Sequence, residues 1–145
     1  MEELYTVAKK AFATHYHYLL KAQNFHWNVT GADFLEFHEL FGNIYTELED
    51  ATDEFAEGLR AIRCWAPGTL KELMELSEIY DPVLPLTKDE MVACLYKDNG
   101  KIVKTLLAAY KSAELENEHG FSSFLADRLN EHRKHGWQLY STMPV

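Results

Sequence analysis

The amino-acid sequence predicts an all-α protein, a four-helix bundle with one long crossover connection. Three observations carry that prediction. Four long segments repeat apolar residues at 3- and 4-residue steps, the period of a helix with one buried stripe. Short runs of turn formers separate the first segment from the second and the third from the fourth. Between the second and third lies a 22-residue stretch, Trp65 to Leu86, that holds three of the four prolines. No strand-like alternation, repeat or low-complexity tract interrupts this pattern.

The first helix is expected from about Glu3 to Asn28, ending where Asn28-Val29-Thr30-Gly31-Ala32-Asp33 supplies a turn. The second is expected to start near Ala32 or Asp33, with Asp33 as a candidate N-cap, and to reach about Cys64. Its apolar positions Phe34, Phe37, Phe41, Ile44, Leu48, Ala51, Phe55 and Leu59 keep the helical period. Within the connection, Thr69 to Glu78 reads as a short helix. Thr87-Lys88-Asp89-Glu90 fits a capping box opening the third helix, which runs to about Glu118. Asn99-Gly100 weakens it locally. The fourth helix follows His119-Gly120, with Ser122 as its candidate cap, and ends near Thr142. Two short turns and one long crossover distinguish this bundle from a simple up-and-down one.

Composition narrows the function. A chain of 145 residues, 47% hydrophobic and 26% charged, suits one soluble domain, here residues 1–145. A net charge of −9 repels phosphate backbones and attracts cations. Cys64 and Cys94 have no CxxC spacing, which argues against a thiolate zinc site and for apolar packing in a reducing compartment. No apolar run approaches the roughly 18 residues of a membrane span. The opening MEELYTVAKK is acidic and lacks the apolar stretch of a secretory signal, so a cytoplasmic protein is expected.

Against this background, four residues form a pattern. His26 and His38 flank the first turn, and Asp53 and Glu57 are i,i+4 neighbours on the second helix. At 100° per residue, Asp53 lies about 60° and Glu57 about 100° around the helix from His38. Two imidazoles and two carboxylates suit iron, zinc or manganese. His38 and Asp53 are fifteen residues apart, roughly 22 Å along one helix, too far to share an ion within one chain. Two second helices packed antiparallel about a two-fold axis would bring His38 of one chain to Asp53 and Glu57 of the other, making two equivalent sites. Taken singly, a histidine near a helix end is ordinarily a cap or core residue, and an acid pair a solvated face. His132 and His135, an i,i+3 pair, are expected on such a solvated face, and His15 and His17 point to different faces.

His26-Trp27-Asn28-Val29, Gly31, Phe34, His38-Glu39, Asp53 and Ala56-Glu57 resemble the Dps proteins, the mini-ferritins of the ferritin-like superfamily. Gly68-Thr69-Leu70-Lys71-Glu72, Asp127-Arg128-Leu129, Glu131 and Trp137 extend the resemblance over nearly the whole chain. It implies a dodecameric shell of ferritin-like four-helix bundles with a short helix in the crossover. It also implies ferroxidase sites at the two-fold interfaces, where Fe(II) is oxidised, preferably by hydrogen peroxide, and the ferric mineral is stored inside. Carried over by position, His26 and His38 come from one subunit and Asp53 and Glu57 from its partner, with Trp27 beside the site. Family shells admit iron through acidic three-fold pores, which by position implicates Glu114, Glu116, Glu118 and Asp127. Position 123, commonly acidic in the family, is serine here.

Two departures shape the expectation. The family usually carries a further Asp four residues after the second histidine, and this chain has Gly42. A missing anionic ligand would weaken or reshape the binding of one metal, with Asp50 or water as partial compensation. The alternative reading is a non-catalytic shell whose centre Gly42 has disabled. Members that bind DNA commonly use a Lys-rich tail. Here the first helix opens almost at once, with only Lys9-Lys10, and the end Met143-Pro144-Val145 is uncharged, so weak DNA binding is expected. The lone Glu116-x-x-His119 argues against a di-iron site inside one bundle, which needs two such motifs.

Overall fold

The computed structural model describes residues 1–144, leaving Val145 of the uncharged end outside the described residues. Its elements are α1 (Glu2–Asn28), α2 (Phe34–Ala61), α3 (Leu70–Leu76), α4 (Lys88–Leu115) and α5 (His119–Thr142). The described residues form no strand. α1 packs along α2 and α4, α4 packs along α5, and α2 and α5 touch far less. The expected bundle with a helical crossover is therefore the observed one.

Local chemistry sets most boundaries. Thr87 and Glu90 close the expected capping box on α4. Thr69 caps α3 by accepting from the backbone N–H of Glu72 at 3.1 Å, and its hydroxyl donates to the Glu72 carboxylate at 3.0 Å. Two helices stop earlier than their apolar period suggests. Arg63 (φ 72°) and Asn117 (φ 60°) turn left-handed, so Cys64 N–H reaches back to Leu59 O and Glu118 N–H to Ala113 O. Those six-to-one bonds use carbonyls that would otherwise be orphaned, ending α2 at Ala61 and α4 at Leu115. Asp33 does precede α2, but at φ 63° its side chain makes no cap bond. Its carboxylate lies 3.7 Å from Lys88 instead. Ser122 lies inside α5, where its hydroxyl contacts the Glu114 carboxylate and the His119 carbonyl, because the chain re-enters helix at His119.

An aromatic spine fills the core: Phe12 meets Phe55 edge-on at 5.3 Å, Phe55 meets Phe124 at 5.3 Å, and Phe25 and Phe41 lie 6.2 Å apart. The crossover is fastened by one polar stripe on α1, Lys10, Thr14, His17 and Lys21. These bind the Glu78 carboxylate, the Glu78 N–H, Ser77 with Asp81, and the Tyr80 carbonyl respectively. Their 4-, 3- and 4-residue steps keep all four on one helix face.

Candidate metal centre

The turn between α1 and α2 folds His26 back against His38. The two rings stack with centroids 3.8 Å apart and planes 13° from parallel. Nδ1 of His26 donates to the backbone carbonyl of His38 at 2.6 Å, and Nδ1 of His38 donates to the carbonyl of His26 at 2.7 Å. A carbonyl oxygen only accepts, so both rings must carry their proton on Nδ1. Each Nε2 then keeps its lone pair, the form in which imidazole ligates a metal. Backbone carbonyls thus orient both rings in the way that outer partners orient histidines at metal sites.

Aromatic neighbours complete this end of the molecule. Phe34 stacks on His38 at 5.1 Å, and Tyr45 lies 5.2 Å from His26. Sequence reasoning passed over Tyr45, although His38, Gly42 and Tyr45 stand at i, i+4 and i+7 on one face of α2. Trp27 is 61% exposed, turned away from its own chain's core.

Asp50, Asp53 and Glu57 are exposed on α2. Asp53 and Glu57 project away from the side that buries Phe41, Ile44, Leu48, Phe55 and Leu59. With Glu49, Asp50 and Asp53 line an open groove of about 530 Å³ between α1 and α2. The chain therefore brings His26 and His38 together and leaves the carboxylates of Asp53 and Glu57 further along the same helix. Donor chemistry fits a borderline metal: two imidazole lone pairs held ready, and exposed carboxylates free to approach from elsewhere.

The acids near the last turn do not converge with Asp127. The Glu114 carboxylate is taken by Ser122 and, at 3.5 Å, by His119, and these hydrogen bonds lower its carboxyl pKa. Glu116 accepts from the amino terminus at 2.7 Å, Glu118 precedes α5, and Asp127 is exposed two turns along that helix.

A second cluster of the same residue types lies between α2, α4 and α5, and here the sequence reading needs correcting. His132 and His135 are 0% and 4% exposed, not on a solvated face. They follow Arg128 by four and seven residues, on one helix face, so all three turn inward. Arg128 grips Glu47 with both terminal nitrogens, and His135 Nε2 meets the same carboxylate at 2.7 Å. His132 donates from Nδ1 to Asn99 Oδ1 at 2.8 Å, and the Asn99 amide donates to the His132 carbonyl at 2.8 Å. These bonds employ Asn99 in mid-helix, which explains a residue that looked like a breaker. Burial would raise the Glu47 carboxyl, but hydrogen bonds from His135 and Arg128 outweigh it and bring it to about 2. Burial, helped by Arg128, lowers His15 to about 3 and His132 well below its ordinary value. Among the described residues, Glu47, Glu131 and His135 are the group whose ligand atoms lie within 4.8 Å of one another, yet Arg128 already supplies their cation.

A crossover four-helix bundle carrying an imidazole pair at a helix turn defines a ferritin-like protein, and the ferritin-like domain family matches residues 3–143. Within that class, the chain belongs to the Dps family. It is 34% identical over 119 residues to DNA protection during starvation protein 2 of Bacillus anthracis, spanning 82% of each chain. Its fold superposes on the crystal structure of Dps from Staphylococcus aureus with a TM-score of 0.94, at 26% identity and covering 100% and 97% of the two chains. Dps from Bacillus brevis gives 0.90 at 27% identity, covering 95% and 93%. No helix of the described residues is long and apolar enough to cross a membrane.

Proposed function

We propose that the protein is a ferroxidase and iron store that oxidises Fe(II) with hydrogen peroxide, or more slowly with oxygen, at sites shared between subunits. The observation that carries the reading is the reciprocal His26–His38 arrangement, which frees an Nε2 lone pair on each of two stacked rings. In this proposal Asp53 and Glu57 of a second copy complete the ligand set, with Asp50 nearby. Two antiparallel α2 helices would cross near residues 45–47, midway between His38 and the two acids. That placement explains carboxylates exposed opposite the core and an exposed Trp27 beside the imidazoles.

The chemistry follows from the donor set. Carboxylates favour Fe(III) over Fe(II), so their approach promotes oxidation. Two Fe(II) ions supply the electron pair that breaks the peroxide O–O bond, and two protons complete two waters. Delivering both electrons at one place avoids releasing hydroxyl radical. Trp27 is placed to intercept a stray oxidising equivalent. Zinc or manganese would compete for the same ligands.

We further propose a dodecameric, cytoplasmic shell with iron entering past Glu114, Glu116, Glu118 and Asp127. The relatives' names refer to DNA protection. For this chain, a net charge of −9 supports weak DNA binding, tested by a mobility shift at about 150 mM salt. The function itself is tested by the rate of anaerobic Fe(II) oxidation after adding peroxide, comparing the protein with Asp53→Ala. Fast oxidation that the variant loses supports the shared centre. Rates equal to buffer in both would leave a ferritin-like shell without the enzyme, the reading in which Gly42 disables the centre.

A further inference from the structure

Gly42 sits one helical turn after His38, on the side of α2 that faces the end of α1. A Cβ built on Gly42 would lie 2.8 Å from both Cε1 and Nδ1 of His26, and 3.7 Å from its Cγ. Carbon contacts are at their best near 3.5–4.0 Å, so no side chain fits at position 42 while the ring stays where it is. The imidazole lies on α2 in the space that any other residue would fill. That seat is what lets His26 Nδ1 reach the His38 carbonyl at 2.6 Å and lets the two rings stack at 3.8 Å. Swinging the ring away to relieve the contact would break that hydrogen bond, and Tyr45, 5.2 Å off, crowds one direction of escape.

We infer that Gly42 is a positioning residue for the imidazole pair. By omitting a Cβ it seats His26 on α2, fixes the proton on Nδ1 and leaves the Nε2 lone pair on a ring stacked against His38. This rests on the metal-centre reading above. It also reverses the simplest view of this position. A glycine here is not only an absent carboxylate. An aspartate would bring the same Cβ, so it could add its oxygen only with the His26 ring moved from this seat. Position 42 therefore decides whether the His26 ring can hold this seat against α2 and His38.

Long-range 1H–15N correlation spectra at pH 8 report which imidazole nitrogen carries the proton, and need no metal. We would record them on the metal-free, 15N-labelled protein and on Gly42→Ala and Gly42→Asp. Gly100→Ala is the control, because a Cβ there meets nothing within 4 Å. Zinc affinity of the same four proteins would be measured by competition with a chromophoric chelator. Alanine favours helix over glycine, so Gly42→Ala is expected to fold. The expected result is protonated Nδ1 and bare Nε2 for both histidines in the unsubstituted protein and the control. In both Gly42 variants, His26 should shift to a different or averaged pattern, and in Gly42→Ala zinc affinity should fall at least tenfold. An unchanged His26 pattern in both variants would overturn the assignment, as would zinc binding by Gly42→Ala as tight as that of the unsubstituted protein. Failure of the unsubstituted protein to bind zinc, with His26 still shifting in the variants, would instead overturn the metal-centre reading.

Discussion

The imidazole pair at the α1–α2 turn and the buried network around Glu47 use the same chemical vocabulary and reach opposite states. At the turn, each Nδ1 is tied to a backbone carbonyl, which is neutral and leaves Nε2 with a lone pair. In the bundle, His132 Nδ1 is held by Asn99, its Nε2 faces Arg128, and His135 Nε2 is held by Glu47. Arg128 serves as a resident cation for the very carboxylate that could hold a metal. Histidines and carboxylates therefore do not make a metal site by being close together. What matters is which of their atoms the rest of the protein has already engaged.

Removing the resident cation should break the contrast most forcefully. Arg128→Met leaves the half-buried Glu47 without its ion pair, which is expected to cost about 3 kcal/mol in urea unfolding, the low end for a broken buried pair. Added zinc should recover part of that loss through Glu47, Glu131 and His135, and should not stabilise the unsubstituted protein through those residues. No recovery would mean that more than Arg128 closes the site.

Acid should separate the two regions next. His15 and His132 have folded-state pKa values below their unfolded ones, so they stay neutral in the fold while the unfolded chain takes up protons. Stability is then lost as pH falls from about 6.5 towards 3, by a few kcal/mol. Glu47, lowered from 4.5 to about 2, adds a further loss as pH falls through that lower window. Unfolding midpoints between pH 8 and about pH 2 check this. Asn99→Asp or His132→Phe would change the slope.

At the turn, truncation should cost function more than stability. His38→Ala removes one prepared lone pair and is expected to weaken zinc or Fe(II) binding by roughly 10–100-fold. Its unfolding midpoint should move by less than that of Arg128→Met. Asn99→Ala gives the smallest effect, about 1–3 kcal/mol, from the stranded His132 donor and carbonyl. If His38→Ala destabilised the fold as much as Arg128→Met, the turn pair would be structural and the contrast would fail.

The sequence by itself determined the helices, their order and the crossover, because apolar period, capping residues and prolines act within a few residues of one another. Thr87 with Glu90, and Thr69 with Glu72, needed nothing beyond their own turn. It also singled out His26, His38, Asp53 and Glu57 and showed that one chain cannot unite them, since helix rise alone separates them. Tertiary packing decided what each polar atom does. It buried His132 and His135, whose spacing alone looked like a wet surface, together with Arg128, because α5 turns that stripe towards Glu47 and Asn99. It also gave Gly42 a meaning that no spacing conveys. A missing side chain matters only through the ring that fills its place, and that ring arrives from another helix.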